Sequence, residues 1–144
     1  PVDGVVIDHY WYGEGEVKKS VAMGDLDWYR PAFPTREKMM QDFNNPSVKT
    51  VLISQPFVLT NSKNYQETAQ KGLLATDSEG KPFTIKDFWF GETGLLDIFK
   101  PQTQTWLWDK YKTLVKQGMG GVWGDLGEPE KHPAEIRHVA GKAD

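Results

Sequence analysis

The sequence predicts an α/β fold built on parallel strands, and three observations support this prediction. Short apolar runs at residues 4–8, 48–54 and 121–125 are predicted to be strands, and segments with helical periodicity lie between them. Strands that alternate with helices form parallel sheets with right-handed crossovers. Two of the runs end in an aspartate, Asp8 and Asp125, so we expect both carboxylates at the carboxyl edge of the sheet.

The first two predicted helices take their limits from capping and breaking residues. Thr35 can cap a helix over residues 36–43, which the Asn-Asn-Pro sequence that follows would end. A second helix is predicted to start at Asn61 or Ser62 and to end at Gly72. The first helix, with the strands on either side of it, completes a β-loop-α-β unit.

Pro101 suits the first turn of a third helix, which is predicted to reach Gln117 and to be capped by Gly118. This helix leads directly into the last strand. A further short helix is predicted over residues 132–140, because Pro133 suits a first helical turn. Residues 95–99 are expected to be extended.

Two irregular segments separate these elements. Residues 9–34 show neither helical nor alternating periodicity and contain several glycines and prolines, so they are predicted to form a long loop. A loop of that length in a compact domain is usually functional. Residues 73–85 are predicted to form a hairpin, with the turn at residues 77–80.

Composition excludes several classes of partner. A net charge of −3 and an isoelectric point near 5.6 do not suit a nucleic-acid partner, which requires clustered Lys and Arg. No apolar run approaches 18 residues, so no membrane span is predicted, and no signal peptide is recognisable. The absence of cysteine excludes disulfides and thiol catalysis and leaves the redox compartment undecided.

The number of strands indicates that the chain is part of a larger domain. Three parallel strands cannot close a barrel, and an open three-stranded sheet would leave exposed edges. The chain also starts at Pro1 without a methionine, which we interpret as processing, cleavage or truncation. We therefore expect residues 1–144 to be a partial domain, completed by further strands in the native protein.

The carboxylates at the strand ends favour carbohydrate chemistry over the alternatives. No glycine-rich phosphate loop follows a strand, and no nucleophile elbow is present, so nucleotide cofactors and Ser-His-Asp catalysis have no support. His9, His132 and His138 lack metal-site spacing, so no metal is predicted. Paired carboxylates and abundant aromatic residues suit glycoside cleavage. The competing interpretation is a strand-to-loop junction with capping carboxylates and with aromatic residues that fill a core.

One motif carries a resemblance to a known family. The signature at the end of the fourth barrel strand of glycoside hydrolase family 31 is Trp-x-Asp-Met-Asn-Glu-Pro, and the chain has Trp-Gly-Asp-Leu-Gly-Glu-Pro at residues 123–129. Residues 3–8 resemble the second strand of that family and residues 48–56 resemble the third. Residues 94–99 resemble the segment that precedes the helix before the fourth strand. The resemblance implies part of a (β/α)8 TIM barrel, roughly strands two to four of eight.

The resemblance also implies a role for individual residues. Asp125 would be the nucleophile of a retaining α-glycosidase and Glu128 would orient neighbouring groups. The residues implied to bind the sugar are Asp8, Tyr10, Trp11 and Trp123. No cofactor is implied, and the implied partner is an α-linked oligosaccharide.

Departures from the signature leave the reaction open. Leu126 and Gly127 replace the common Met-Asn pair, and the motif is most similar to bacterial members that transfer α-glucosyl units, with a related form in α-xylosidases. Only 19 residues follow Asp125, and none can be assigned as the acid that protonates the leaving group, so the isolated chain is expected to be inactive. A non-catalytic sugar-binding barrel fragment is the remaining alternative.

Overall fold

A computed structural model describes residues 2–13 and 22–139, with strands and helices in alternation. The strands are β1 (Gly4–Ile7), β2 (Lys49–Ser54), β3 (Phe57–Leu59), β4 (Thr93–Leu95) and β5 (Gly121–Gly124). The helices are α1 (Arg36–Asn44), α2 (Tyr65–Gln70) and α3 (Pro101–Lys116), and a short 3-10 turn spans His9–Trp11. The part of the predicted long loop that covers residues 14–21 lies outside the described residues.

The main sheet contains the three predicted strands as parallel neighbours, in the order β1-β2-β5. Ile7 lies opposite Leu52, and Ile53 lies opposite Trp123. The α/β architecture is therefore confirmed, and it is that of part of an α/β barrel. None of the helices in the described part combines the length and apolar character that a bilayer crossing requires.

Helix α3 packs on one face of this sheet. The hydroxyl groups of Ser54 on β2 and Tyr111 on α3 are 2.7 Å apart, so even-numbered residues of β2 face α3. Pro101 occupies the first turn of α3, as predicted, and Gly118 follows the helix with a φ of +114°. A Cβ atom at Gly118 would lie 3.2 Å from the Cβ of Met40, so glycine also lets α1 and α3 approach each other.

A second, two-stranded sheet was not predicted. Strands β3 and β4 pair antiparallel, with Val58 opposite Gly94. Leu95, which was expected to be extended, belongs to β4, and the next residue bridges to Leu74. The hairpin at residues 73–85 is present, because Thr76 bridges to Pro82 around the predicted turn. Strand β3 was not predicted, because an apolar run of three residues is too short to show a periodicity.

Two predicted helices differ from the structure. The helix predicted over residues 132–140 is wrong, since residues 132–139 contain only a turn and bridged residues. Arg137 exchanges two backbone hydrogen bonds with Thr76 instead, and tertiary pairing overrides the local preference. Helix α2 begins at Tyr65, later than predicted, and the side-chain amide of the preceding Asn64 donates to the carbonyl groups of Gly24 and Asp25.

Candidate active site

The carboxyl ends of the three parallel strands bring polar side chains together. Continuing the observed register by one residue sets Asp8 level with Ile53 and Asp125 level with Gln55. Because side chains alternate between the faces of a sheet, Asp8, Gln55 and Asp125 share one face. That face is opposite the one that contacts α3, where Ser54 meets Tyr111.

Asp125 is held by the central strand. Its backbone N–H donates to the carbonyl of Ser54 at 3.0 Å, and the Gln55 side-chain amide donates to its Oδ2 at 3.0 Å. Oδ1 has no donor among residues 2–13 and 22–139. The next residue, Leu126, has a φ of +51°, a left-handed conformation that residues with a Cβ rarely adopt. The chain thus turns sharply just after a carboxylate with one free oxygen.

Asp8 lies at the end of β1, where it caps the 3-10 turn. Its Oδ1 accepts the backbone N–H of His9 at 2.7 Å and lies 3.2 Å from the Nε2 atom of the same residue. The Asp8 side chain is 63% exposed. It is therefore anchored through one oxygen while remaining open to a ligand.

Tyr12 interacts electrostatically with both carboxylates, although no role was predicted for it. Its side chain is buried, and its hydroxyl lies 3.2 Å from the Nδ1 atom of His9. Burial raises the pKa of the Tyr12 phenol, and the negative charges of Asp8 and Asp125 raise it further. One buried phenol therefore experiences the field of both carboxylates.

The aromatic residues implied to bind sugar have different environments. Tyr10 and Trp123 are 52% and 44% exposed, so their rings are accessible. Trp11 is only 1% exposed, and its indole N–H donates to the carbonyl of Ile53 at 2.9 Å. Trp11 is a core residue in this structure and does not reach the exposed face of the site.

Glu128 is exposed and borders a separate cleft. This cleft has a volume of about 460 Å³ and lies between Pro56, the segment 95–99 and residues 127–129. Asp125 does not line it. Glu128 therefore faces a cleft that Asp125 does not line.

The sequence analysis did not identify Trp89, an exposed tryptophan near the candidate site. Trp89 is 71% exposed, and its indole N–H donates to a carboxylate oxygen of Glu130 at 2.9 Å. The neighbouring Phe90 contacts the His9 ring at 5.6 Å between centroids. The segment around Trp89 therefore joins the end of β1 to the loop after β5. Its aromatic sequence, Phe-Trp-Phe, was the available signal.

The described part of the chain contains no cluster of three or more acidic or histidine side chains suited to a metal ion. His132 and His138 have their Nε2 atoms 2.9 Å apart, and His138 also contacts the buried Asp97 through Nδ1 at 3.1 Å. His9 contacts Asp8 and Tyr12. The three histidines thus serve hydrogen-bond networks.

Comparison with known proteins agrees with the fold described above. The family model of the glycosyl hydrolases family 31 TIM-barrel domain matches residues 1–142. The chain belongs to family 31. The Flavobacterium johnsoniae family 31 dextranase FjDex31A, solved with glucose, has the same fold with a TM-score of 0.85 at 23% identity. That match covers 99% of this chain and 18% of the dextranase chain.

The curated relatives are named as enzymes with different substrates. The α-xylosidase XylQ of Lactiplantibacillus pentosus is 27% identical over 94% of this chain. The sulfoquinovosidase of Escherichia coli K12 is 27% identical over 74%, and the α-glucosidase of Saccharolobus solfataricus is 25% identical over 78%. This chain spans 16% of the length of each of the three. These comparisons establish the family and the barrel fold of this chain.

Proposed function

We propose that the polypeptide containing this chain cleaves α-glucosidic bonds in oligosaccharides by a retaining route. Asp125 is the nucleophile, Asp8 binds the glycone sugar and Glu128 orients neighbouring groups. One observation carries the proposal: Asp8 and Asp125 follow parallel strands of one sheet and lie on the same face, with Gln55 beside Asp125. Enzymes with parallel barrels gather their catalytic groups at this edge.

The spacing of the strands suits a single sugar ring. Strand β2 separates β1 from β5, so two inter-strand spacings, or about 10 Å, lie between the strands that carry Asp8 and Asp125. A hydrogen bond from a sugar hydroxyl to Asp8 takes up about 2.8 Å of that separation, and the remainder accommodates the sugar ring. Trp123 and Tyr10 offer exposed aromatic surface for the apolar face of that ring.

The proposed reaction has two steps. Oδ1 of Asp125 attacks the anomeric carbon while the bond to the leaving oxygen breaks, and that oxygen takes the electron pair and a proton from an acid outside this chain. Gln55 holds Oδ2, which keeps Oδ1 directed outward. Water or a sugar hydroxyl then attacks the anomeric carbon, gives its proton to the conjugate base of the same acid and releases Asp125 as a carboxylate.

The choice between water and a sugar acceptor, and between glucosyl and xylosyl donors, belongs to the same proposal. The Leu126-Gly127 pair favours glucosyl transfer by resemblance, and the α-xylosidase relative supports the xylosyl alternative. Activity on α-glucosides, α-xylosides and isomalto-oligosaccharides, with and without added acceptor, separates these outcomes. Turnover of none of them would favour a non-catalytic sugar-binding role.

The decisive experiment uses Asp125→Asn in the full-length protein. Removal of a nucleophile lowers kcat by several orders of magnitude, so we expect turnover to be lost while sugar binding remains. Asp109→Asn is the matched control, because Asp109 is an exposed aspartate on α3. We expect the isolated 144-residue chain to be inactive, and it serves as a further reference.

A 5-fluoroglycosyl reagent followed by peptide mapping identifies the nucleophile directly. We expect the label on Asp125 in the native enzyme and in Asp109→Asn. Label on Glu128, or full activity of Asp125→Asn, would contradict the assignment.

A further inference from the structure

Gln55 bonds directly to the carboxylate that we propose as the nucleophile. Its side-chain nitrogen Nε2 lies 3.0 Å from Oδ2 of Asp125. An ionised carboxylate can only accept hydrogen bonds, so the amide N–H of Gln55 must face Oδ2. Gln55 is 7% exposed, and its Oε1 has no hydrogen-bond partner within residues 2–13 and 22–139. A buried amide thus meets Asp125 through its donor side.

Two backbone hydrogen bonds fix the chain on either side of Gln55. The carbonyl of Ser54 accepts the N–H of Asp125 at 3.0 Å, and the carbonyl of Pro56 accepts the N–H of Leu96 at 2.8 Å. Gln55 itself lies one residue beyond the end of β2. A buried side chain on a backbone that is anchored at both sides has few alternative positions. The Gln55 donor is therefore held at Oδ2 while Asp125 reacts.

The proposed reaction changes the charge on Oδ2 but leaves this oxygen able to accept the bond from Gln55. In the free enzyme the negative charge of the Asp125 carboxylate is shared between both oxygens. In the glycosyl-enzyme, Oδ1 is bonded to the anomeric carbon and Oδ2 is the carbonyl oxygen of a neutral ester. A hydrogen bond to a charged oxygen contributes roughly twice as much as one between neutral groups. The Gln55 donor therefore stabilises free Asp125 more than the ester.

We propose that Gln55 is a positioning residue that speeds the second step of the reaction, in which the sugar leaves Asp125. In that step the bond between Oδ1 and the anomeric carbon breaks, and its electron pair restores the carboxylate that Gln55 stabilises. In the first step the carboxylate gives up its charge, so the same hydrogen bond does not assist the attack. The inference rests on the proposed function, because it requires the ester on Asp125.

The first test compares Gln55→Met with Gln102→Met in the full-length enzyme. Methionine is close to glutamine in length and has no side-chain donor, and Gln102 is an exposed residue of α3. The substrate is a dinitrophenyl α-glycoside of the sugar that the enzyme accepts, because a good leaving group makes the second step limit kcat. Gln55→Met is expected to lower kcat and KM together by about fivefold and to leave kcat/KM within about twofold. Gln102→Met is expected to change neither.

The second test measures the covalent intermediate itself. When its breakdown is slower, more of the enzyme carries the sugar during turnover, and a larger burst of dinitrophenol precedes the steady state. Intact-protein mass spectrometry of quenched samples is expected to show a larger glycosylated fraction in Gln55→Met than in the native enzyme. Gln55→Asn is one methylene shorter, which draws the donor away from Oδ2, and is expected to behave like Gln55→Met. Gln55→Asn carries the test if the methionine variant does not fold.

The outcomes separate the inference from the function on which it rests. If Asp125→Asn stays fully active, or if the sugar is found on another residue, the proposed function is wrong and the inference falls with it. If the sugar is found on Asp125 but Gln55→Met behaves like Gln102→Met, only the inference is overturned. A loss of kcat/KM with kcat retained would assign Gln55 to the attack, and equal losses of kcat and kcat/KM would show a general structural role. Either result would also overturn the inference.

Discussion

Replacing Trp11 tests whether this residue belongs to the core or to the sugar site. The indole is 1% exposed and donates to the Ile53 carbonyl at 2.9 Å. Trp11→Phe removes one hydrogen bond, worth about 1 kcal/mol, and leaves a smaller ring in a packed core, which costs roughly another 1 kcal/mol. We therefore expect the free energy of unfolding to fall by about 2 kcal/mol. Trp89→Phe, at a 71% exposed position, should change it by less than about 0.5 kcal/mol.

The assay is urea unfolding followed by far-ultraviolet circular dichroism, because tryptophan fluorescence changes with either substitution. The KM for an α-glycoside is measured on the same samples, and Trp11→Phe should leave it within about twofold of the native value. A raised KM with unchanged stability would show that Trp11 contacts the sugar. That result would refute its assignment to the core.

Two further predictions concern stability. Burial raises the pKa of Tyr12 and Tyr111, so both stay protonated in the folded state above about pH 10, where unfolded phenols ionise. The stabilisation that these raised pKa values provide is complete below about pH 10 and is lost as the pH rises through the folded pKa values. Tyr12→Phe should therefore make the urea midpoint fall less steeply with pH in the alkaline range. An unchanged slope would contradict this prediction. Gly24→Ala should cost about 2–4 kcal/mol, because φ is +95° and the new Cβ would lie 2.7 Å from the Val58 Cα. Gly80→Ala, with a φ of +82° and open space, should cost only about 1 kcal/mol, and equal losses in thermal unfolding would contradict the steric argument.

The main sheet could be predicted because its strands leave clear local signals. Residues 48–54 and 121–125 are apolar runs bounded by proline or glycine, and the observed strands differ from the predictions by one residue at an end. Helix α3 was equally clear, since Pro101 and Gly118 mark its limits. Strand β3 and the bridge between Thr76 and Arg137 depend on partners far along the chain, and no local pattern encodes them.

The candidate site was predictable only in part, for a related physical reason. Asp8 and Asp125 end apolar strands, so parallel topology alone brings them to one edge. The contact between Gln55 and Asp125 depends on register, which the sequence does not reveal. Trp11 and Tyr12 follow Asp8 within one turn, and the burial of their rings depends on packing against distant residues such as Ile53 and Trp28.

The position of the carboxylates on the sheet explains why the remaining barrel should matter for activity. Asp8 and Asp125 follow β1 and β5, and within the described residues each of these strands pairs only with β2. Val6 and Val122 on these strands are 56% and 38% exposed, whereas Leu52 on β2 is buried. In a closed barrel every strand has two neighbours, and the tilt of the strands is fixed by closure. The complete ring of strands would then set the distance between the two carboxylates. The same strands are also expected to supply the acid.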